Sequence, residues 1–104
     1  MISTIKQLFG LGPKVNYKEL VKNGAKILDV RSRAEYSSGH IKGSVNVPLN
    51  ELNRLPKSIK PGDTIITCCA SGMRSAAAKS QLRTMGFSAV HNGGGWFSLN
   101  QKLR

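Results

Sequence analysis

The sequence predicts an α/β fold, a single domain in which a parallel central sheet is flanked by helices on both faces. Two observations lead there. From about residue 15 onward, helix-like and strand-like segments alternate across connections short enough to imply crossover units, and crossovers imply a parallel sheet. The strongest strand signal, Thr64-Ile65-Ile66-Thr67-Cys68, is a run of apolar and β-branched residues bounded by the turn Pro61-Gly62-Asp63. The length of 104 residues sets the scale: one domain with one modest core, and no linker that would divide it.

Each element follows from local chemistry. Asn16 can cap a helix that runs through Leu20 and Val21 and stops at Gly24. Ile27-Leu28-Asp29-Val30 reads as a short strand. Ser32-Arg33-Ala34-Glu35 is a capping box, predicting a brief helix that ends before Gly39. Val45 and Val47 alternate in a second strand closed by Pro48. Asn50 is placed to cap a short helix containing Leu52 and stopping before Pro56. After the strong strand, Ser75 to Met85 is helical, with Ala78, Leu82 and Met85 on one face and Gly86 as the stop. Ser88-Ala89-Val90-His91 is a last short strand, followed by Gly93-Gly94-Gly95 and an apolar segment with Trp96, Phe97, Leu99 and Leu103. Residues 1–14, with apolar side chains at Ile2, Ile5, Leu8 and Phe9, are expected to form an amphipathic segment packing on a domain that spans 15–104.

Composition narrows the function. The chain carries 16 Lys+Arg against 5 Asp+Glu, a net charge of +11. The basic residues are spread along the sequence with no run, and 1 Trp, 2 Tyr and 3 Phe are few to stack on bases, so nucleic acid is not an expected partner. The charge reads instead as a general positive field suited to steering anions. No apolar stretch approaches the roughly 20 residues that span a bilayer, so no membrane partner is expected. The two cysteines, Cys68 and Cys69, are adjacent, which fits neither a disulfide framework nor zinc-ligand spacing, and no metal or other cofactor is expected. Adjacent cysteines without an export signal make a reducing cytoplasm the expected location.

The chemistry is concentrated in Cys69-Ala70-Ser71-Gly72-Met73-Arg74, between the strongest strand and the strongest helix. In parallel sheets ligands bind beyond the carboxyl ends of the strands. Small residues there let successive N–H groups curl into an anion-favouring nest, the following helix points its positive end at the same place, and Arg74 adds a full charge. A cysteine at the mouth of such a loop should ionise below the ordinary thiol value of about 8.5 and act as a covalent nucleophile. Cys68, continuing the strand pattern, reads as a buried thiol. Asp29 and Arg31 read as an anchoring ion pair, Glu35 as the capping-box acid, His40 as a turn-bonding side chain, His91 as a strand-end residue and Trp96 as pocket wall or core.

At these residues the sequence resembles the rhodanese (sulfurtransferase) family, in its small single-domain form. Ile27-Leu28-Asp29-Val30-Arg31 resembles the family's first strand, and Glu35-Tyr36, Gly39-His40-Ile41-Lys42-Gly43-Ser44 and Asn46-Val47-Pro48 resemble its next block. Cys69-Ala70-Ser71-Gly72-Met73-Arg74-Ser75 is similar to its active-site loop, and Gly94-Gly95-Trp96 to its closing element. The resemblance implies that a sulfane sulfur passes from a small anionic donor such as thiosulfate onto Cys69 as a persulfide. From there it would pass to cyanide or to a thiol, including a thioredoxin-like or other thiol acceptor protein. Cys69 and Arg74 would be the catalytic residues, and Ala70, Ser71, Gly72, Met73 and Ser75 would bind substrate, with no cofactor. Three other readings compete. One is a protein-to-protein persulfide relay, in which the donor is a protein rather than thiosulfate. A Cys-dependent phosphatase places five residues between Cys and Arg, a count met from Cys68 but not from Cys69, and Thr67 stands where its His is expected. A non-enzymatic binding module would not need Cys69 and Arg74. Met73, at a position where a basic side chain would favour a small dianion, weakens the preference for thiosulfate.

Overall fold

A computed structural model describes residues 14–104; the N-terminal amphipathic segment expected at 1–14 lies outside the described residues except for Lys14. In chain order the elements are α1 (Tyr17–Lys22), β1 (Lys26–Asp29), α2 (Arg33–Ser37), β2 (Val45–Asn46), a 3-10 segment (Leu49–Arg54), β3 (Ile65–Cys69), α3 (Met73–Thr84), β4 (Val90–Gly95) and α4 (Trp96–Lys102). The four strands form one sheet in the order β2-β1-β3-β4, every pairing parallel. This is the predicted α/β architecture.

Two apolar layers lie on the two faces of the sheet. On one, Leu28, Val30, Ile65 and Cys69 pack against Leu52 of the 3-10 segment, Ala78 and Leu82 of α3, and Phe87. On the other, Ile27, Ile66 and Cys68 pack against Leu99 and Trp96 of α4 and Tyr17, Leu20 and Val21 of α1. The alternation along β3 is the ordinary period of two, so neighbouring side chains go to opposite layers.

The local signals act as expected at several points. Asn16 accepts a bond from Glu19 N–H at 3.1 Å, and Gly24 ends the turn at φ 103°. The Ser32–Glu35 capping box is formed in both directions.

Four elements differ from the expectation. The 3-10 segment has no side-chain cap: Glu51 N–H bonds the Pro48 carbonyl at 2.8 Å, so Pro48, with φ preset by its ring, opens the turn and Asn50 lies inside it. β3 runs one residue further, through Cys69, and α3 begins at Met73 rather than Ser75, because Gly72 at φ 102° makes the turn by itself. Met85 is 39% exposed and is not on the core face, which is Ser75, Ala78 and Leu82. Helix α3 ends at Thr84, Phe87 N–H bonds the Leu82 carbonyl at 3.0 Å, and the buried Phe87 fills the place Met85 would have taken.

The last strand is the largest difference. β4 starts at Val90 and continues through all three glycines. Its register pairs Thr67 with Asn92 but Cys69 with Gly95, so β4 carries one extra residue opposite the end of β3. Glycine is needed there for room. A Cβ at Gly93 would stand 2.8 Å from Ile66 Cγ2 and Thr67 O, and 2.9 Å from Leu99 Cδ2. The glycines thus let the end of β4 lie against the β3–α3 turn, which a strand of ordinary residues could not do. Gly93→Ala should cost about 2–3 kcal/mol in overpacking, read as a lowered urea midpoint with unchanged slope. A stability equal to the parent would show that the close approach is not constraining.

Candidate active site

Cys69 is the last residue of β3 and is fully buried. It is not at the mouth of the loop, as expected from sequence; the loop is wound around its sulfur. Gly72 N–H donates to Sγ at 3.0 Å and Ser75 N–H at 3.3 Å, while Sγ and Ser75 Oγ lie 3.4 Å apart. Burial alone would raise the thiol pKa, but the Ser75 hydroxyl and the N–H groups of Ser75, Gly72 and Ser71 together outweigh it and bring it below the ordinary thiol value. Donors to a sulfur stabilise its negative form, so the site favours a thiolate.

Cys68 shows the opposite environment one residue away. It is fully buried in the α1–α4 layer, and burial, with Asp29 adding to it, pushes its thiol up to about 12. The two sulfurs are on opposite faces of the sheet. The five-residue count from Cys68 to Arg74 therefore joins an inert thiol to a loop it does not face, and only the four-residue loop from Cys69 closes on a sulfur.

The other loop residues divide by exposure. Ala70 and Ser71 are exposed, Gly72 is half-buried and Met73 is 81% exposed, an apolar side chain standing in solvent beside the loop. Gly72 packs against β4: a Cβ there would lie 3.4 Å from Gly94 Cα. Ser75 is fully buried and joins three elements, since its carbonyl accepts from Thr67 Oγ1 at 2.9 Å and its hydroxyl reaches Asn92 Oδ1 at 2.6 Å.

Arg74 is held differently from the sequence expectation. Its guanidinium makes a bidentate pair with Glu35, at 2.7 and 2.9 Å, with both side chains a little over one-third exposed. Glu35 is thus not spent on its cap: Oε1 also accepts from Ser32 N–H at 3.0 Å. The Arg74 bond first, and the Ser32 N–H second, hold the Glu35 carboxyl at about 2. A depressed carboxylate contributes above its unfolded value, about 4.3, and loses that contribution as pH falls through the folded one. The clamp is therefore intact throughout the range in which a thiol ionises. The one formal cation of the loop is already neutralised by a partner 39 residues away.

Residues singled out beside the loop behave structurally. Asp29 and Arg31 form a buried pair at 2.7 Å, and the same guanidinium donates to Gly39 O and lies 4.7 Å from the Trp96 ring centre. Trp96 thereby serves as core on the α1–α4 side. His40 Nδ1 lies 2.7 Å from Tyr36 O, and its ring stacks on Tyr36. His91 is inside β4, not at a strand end, because β4 extends past it. Asn92 was not marked by sequence; its side chain accepts from Gly94 N–H at 2.9 Å and meets Ser75. An Asn two residues before a Gly turn is a recognisable turn signal, but its contact with Ser75 has no local signature. Among the described residues, no three His, Cys, Asp or Glu side chains come together to hold a metal, and no helix is long and apolar enough to cross a membrane.

A parallel sheet with a cysteine-centred turn at the carboxyl end of a middle strand defines the class, and comparison with known proteins supplies the family. The model of the rhodanese-like domain matches residues 13–102, and the chain belongs to that family. It is 36% identical over 70 residues to the thiosulfate sulfurtransferase PspE of Escherichia coli, covering 65% of this chain and 67% of that one. Against YrkF of Bacillus subtilis it is 39% identical over 66 residues, 64% of this chain, but spans only 36% of that protein. Among solved structures, the human single-domain sulfurtransferase TSTD1 superposes with a TM-score of 0.72 at 25% identity, covering 85% of this chain and 91% of the other. A rhodanese from E. coli solved with anions gives 0.67 at 33% identity, over 71% and 89% of the two chains.

The two environments predict a clean separation of the thiols. Alkylation by iodoacetamide should modify one cysteine, with its pH midpoint shifted to the acid side of an ordinary thiol by the Ser75 and loop N–H donors. Cys68→Ala should leave that profile unchanged, and Cys69→Ala should abolish fast labelling. Rapid labelling of Cys68 in the native protein would contradict a thiol pushed up to about 12.

Proposed function

We propose that this protein is a sulfurtransferase that carries sulfane sulfur on Cys69. One observation carries the reading: a single thiol at the end of β3 receives two backbone N–H groups and lies against the Ser75 hydroxyl, while its neighbour is sealed in the opposite layer. The family supports it, since PspE and TSTD1 are named sulfurtransferases.

In this reaction the Cys69 thiolate attacks the outer sulfur of thiosulfate. The new S–S bond forms as the old one breaks, and sulfite leaves with the electron pair. The persulfide is anionic, and the N–H groups of Ser71, Gly72 and Ser75 are placed to stabilise charge on the loop sulfur. An acceptor thiolate then attacks the outer sulfur, becomes a persulfide itself and returns Cys69 as thiolate; cyanide would leave as thiocyanate. No general base is needed if the thiol is already ionised. Arg74 serves by holding α3 to α2 through Glu35, which keeps the loop closed on the sulfur, rather than as a free cation for the donor.

That neutralised arginine and the exposed Met73 bear on the partner. A small dianion finds no unpaired cation on the loop, whereas Met73, and Phe97 at 64% exposed just beyond Gly95, offer apolar contact to a protein. The sequence has no Asp or Glu after Asp63, so the part of the chain that carries the loop is uniformly basic or neutral. These features favour a thiol acceptor protein with an acidic surface, in a cytoplasmic setting where thiols stay reduced.

Intact mass after incubation with thiosulfate should show the gain of one sulfur in the parent and in Cys68→Ala, and none in Cys69→Ala. An adduct that persists in Cys69→Ala would remove Cys69 as the carrier, and none from any sulfane donor would leave a binding module. Met73→Lys should raise kcat/KM for thiosulfate by about three- to tenfold, the gain from one screened charge at close range. An unchanged value would mean that loop charge does not limit donor capture.

A further inference from the structure

The Ser75 hydroxyl has one proton and three acceptors around it. Its oxygen lies 2.6 Å from Asn92 Oδ1, 3.0 Å from Gly72 O and 3.4 Å from Cys69 Sγ. The Asn92 amide is oriented from outside this triangle. Gly94 N–H donates to Oδ1 at 2.9 Å, and Nδ2 donates toward the Gly72 carbonyl at 3.4 Å. Oδ1 can therefore only accept. With Cys69 as a thiol, every group is satisfied: S–H donates to Ser75 Oγ, and Ser75 O–H donates to Asn92. With Cys69 as a thiolate, the sulfur is charged and draws the hydroxyl proton. Two oxygens would then face each other at 2.6 Å with no proton between them.

We propose that Asn92 is a positioning residue that governs which way the Ser75 hydroxyl donates, and through it the readiness of Cys69 to react. Asn92 competes with the sulfur for one proton. It holds the hydroxyl turned away while the sulfur is protonated, and must give it up when negative charge arrives. The asparagine of β4 is thus a brake on the thiolate, while the N–H groups of Gly72 and Ser75 are its support. Its relevance to sulfur transfer rests on the reading of Cys69 as the carrier, but the competition belongs to three side chains and is measurable without turnover.

The charged groups near the sulfur are the same with or without Asn92. From α3 comes Arg74, neutralised by Glu35 of α2. From β3 comes Cys68, in the other layer, and from the end of β1 the Asp29–Arg31 pair that faces it. From β4, His91 precedes Asn92, and residues 92–95 carry no charge.

The test is a double-mutant cycle read by iodoacetamide alkylation of Cys69 across pH, in the full chain with Cys68→Ala as background. Asn92→Ala should speed alkylation at neutral pH by about three- to tenfold and move the profile toward acid, since a competing acceptor is worth one hydrogen bond. Ser75→Ala should slow it by about tenfold. In the Ser75→Ala background, Asn92→Ala should then have no effect. If Asn92→Ala slows alkylation, leaves it unchanged, or acts equally with and without Ser75, the proposal is overturned, because Asn92 would then act only by shaping the turn through Gly94. Should Asn92→Ala not fold, Asn92→Ser carries the same comparison: its hydroxyl can accept from Gly94 N–H in the equivalent turn while withdrawing the acceptor from Ser75. No sulfur donor enters this assay, so a failure of sulfur transfer and a failure of the Asn92 brake are seen separately.

Discussion

The turn between β3 and α3 is closed on a sulfur atom. Gly72 and Ser75 direct backbone N–H groups at Cys69 Sγ, so the thiol takes the place that a backbone carbonyl or a bound anion would take at the start of a helix. Much of the surrounding structure serves that closure. The glycines of β4 bring a neighbouring strand close enough to back the loop, Thr67 and Asn92 hold Ser75 from below, and Glu35 holds Arg74 from the side. A cysteine whose unshared electrons organise a turn is also one whose anion is stabilised by it. Fold and reactivity share the same contacts.

The balance of charge acts at two ranges. At contact range the protein is economical: Asp29, Glu35, Glu51 and Asp63, four of its five acids, each take one cation, and two of these pairs tie the elements around the loop together. At long range the excess of 16 basic over 5 acidic residues remains. It gives a positive field without an unpaired cation on the loop, which is what favours an acidic protein surface over a small dianion in the proposed function. The exposed Met73 and Phe97 add apolar contact to the same reading.

Local rules were legible in the sequence and long-range ones were not. Asn16, Ser32 with Glu35, and Gly24 announced their caps because capping is settled within one turn of chain. The alternation that separates Cys68 from Cys69 was also readable, since a strand has a period of two. The bidentate bond between Glu35 and Arg74 was not, because nothing local tells a capping acid that it has a second partner. Nor was β4: three glycines read as a loop by propensity, and only the packing of Ile66, Thr67 and Leu99 around Gly93 makes glycine the residue a strand needs there.

The sequence by itself determined the α/β class, the order of the elements and the loop on which the proposed nucleophile sits, because periodicity, caps and the Cys–Arg spacing are properties of neighbouring residues. Tertiary structure decided what that loop is chemically. It buried the sulfur, set one serine hydroxyl between a sulfur and an amide oxygen, and neutralised the arginine that looked free. Those outcomes depend on side chains separated by 6, 17 and 39 residues meeting around one loop. Such meetings are set by the close approach of strands and helices, which no local pattern encodes.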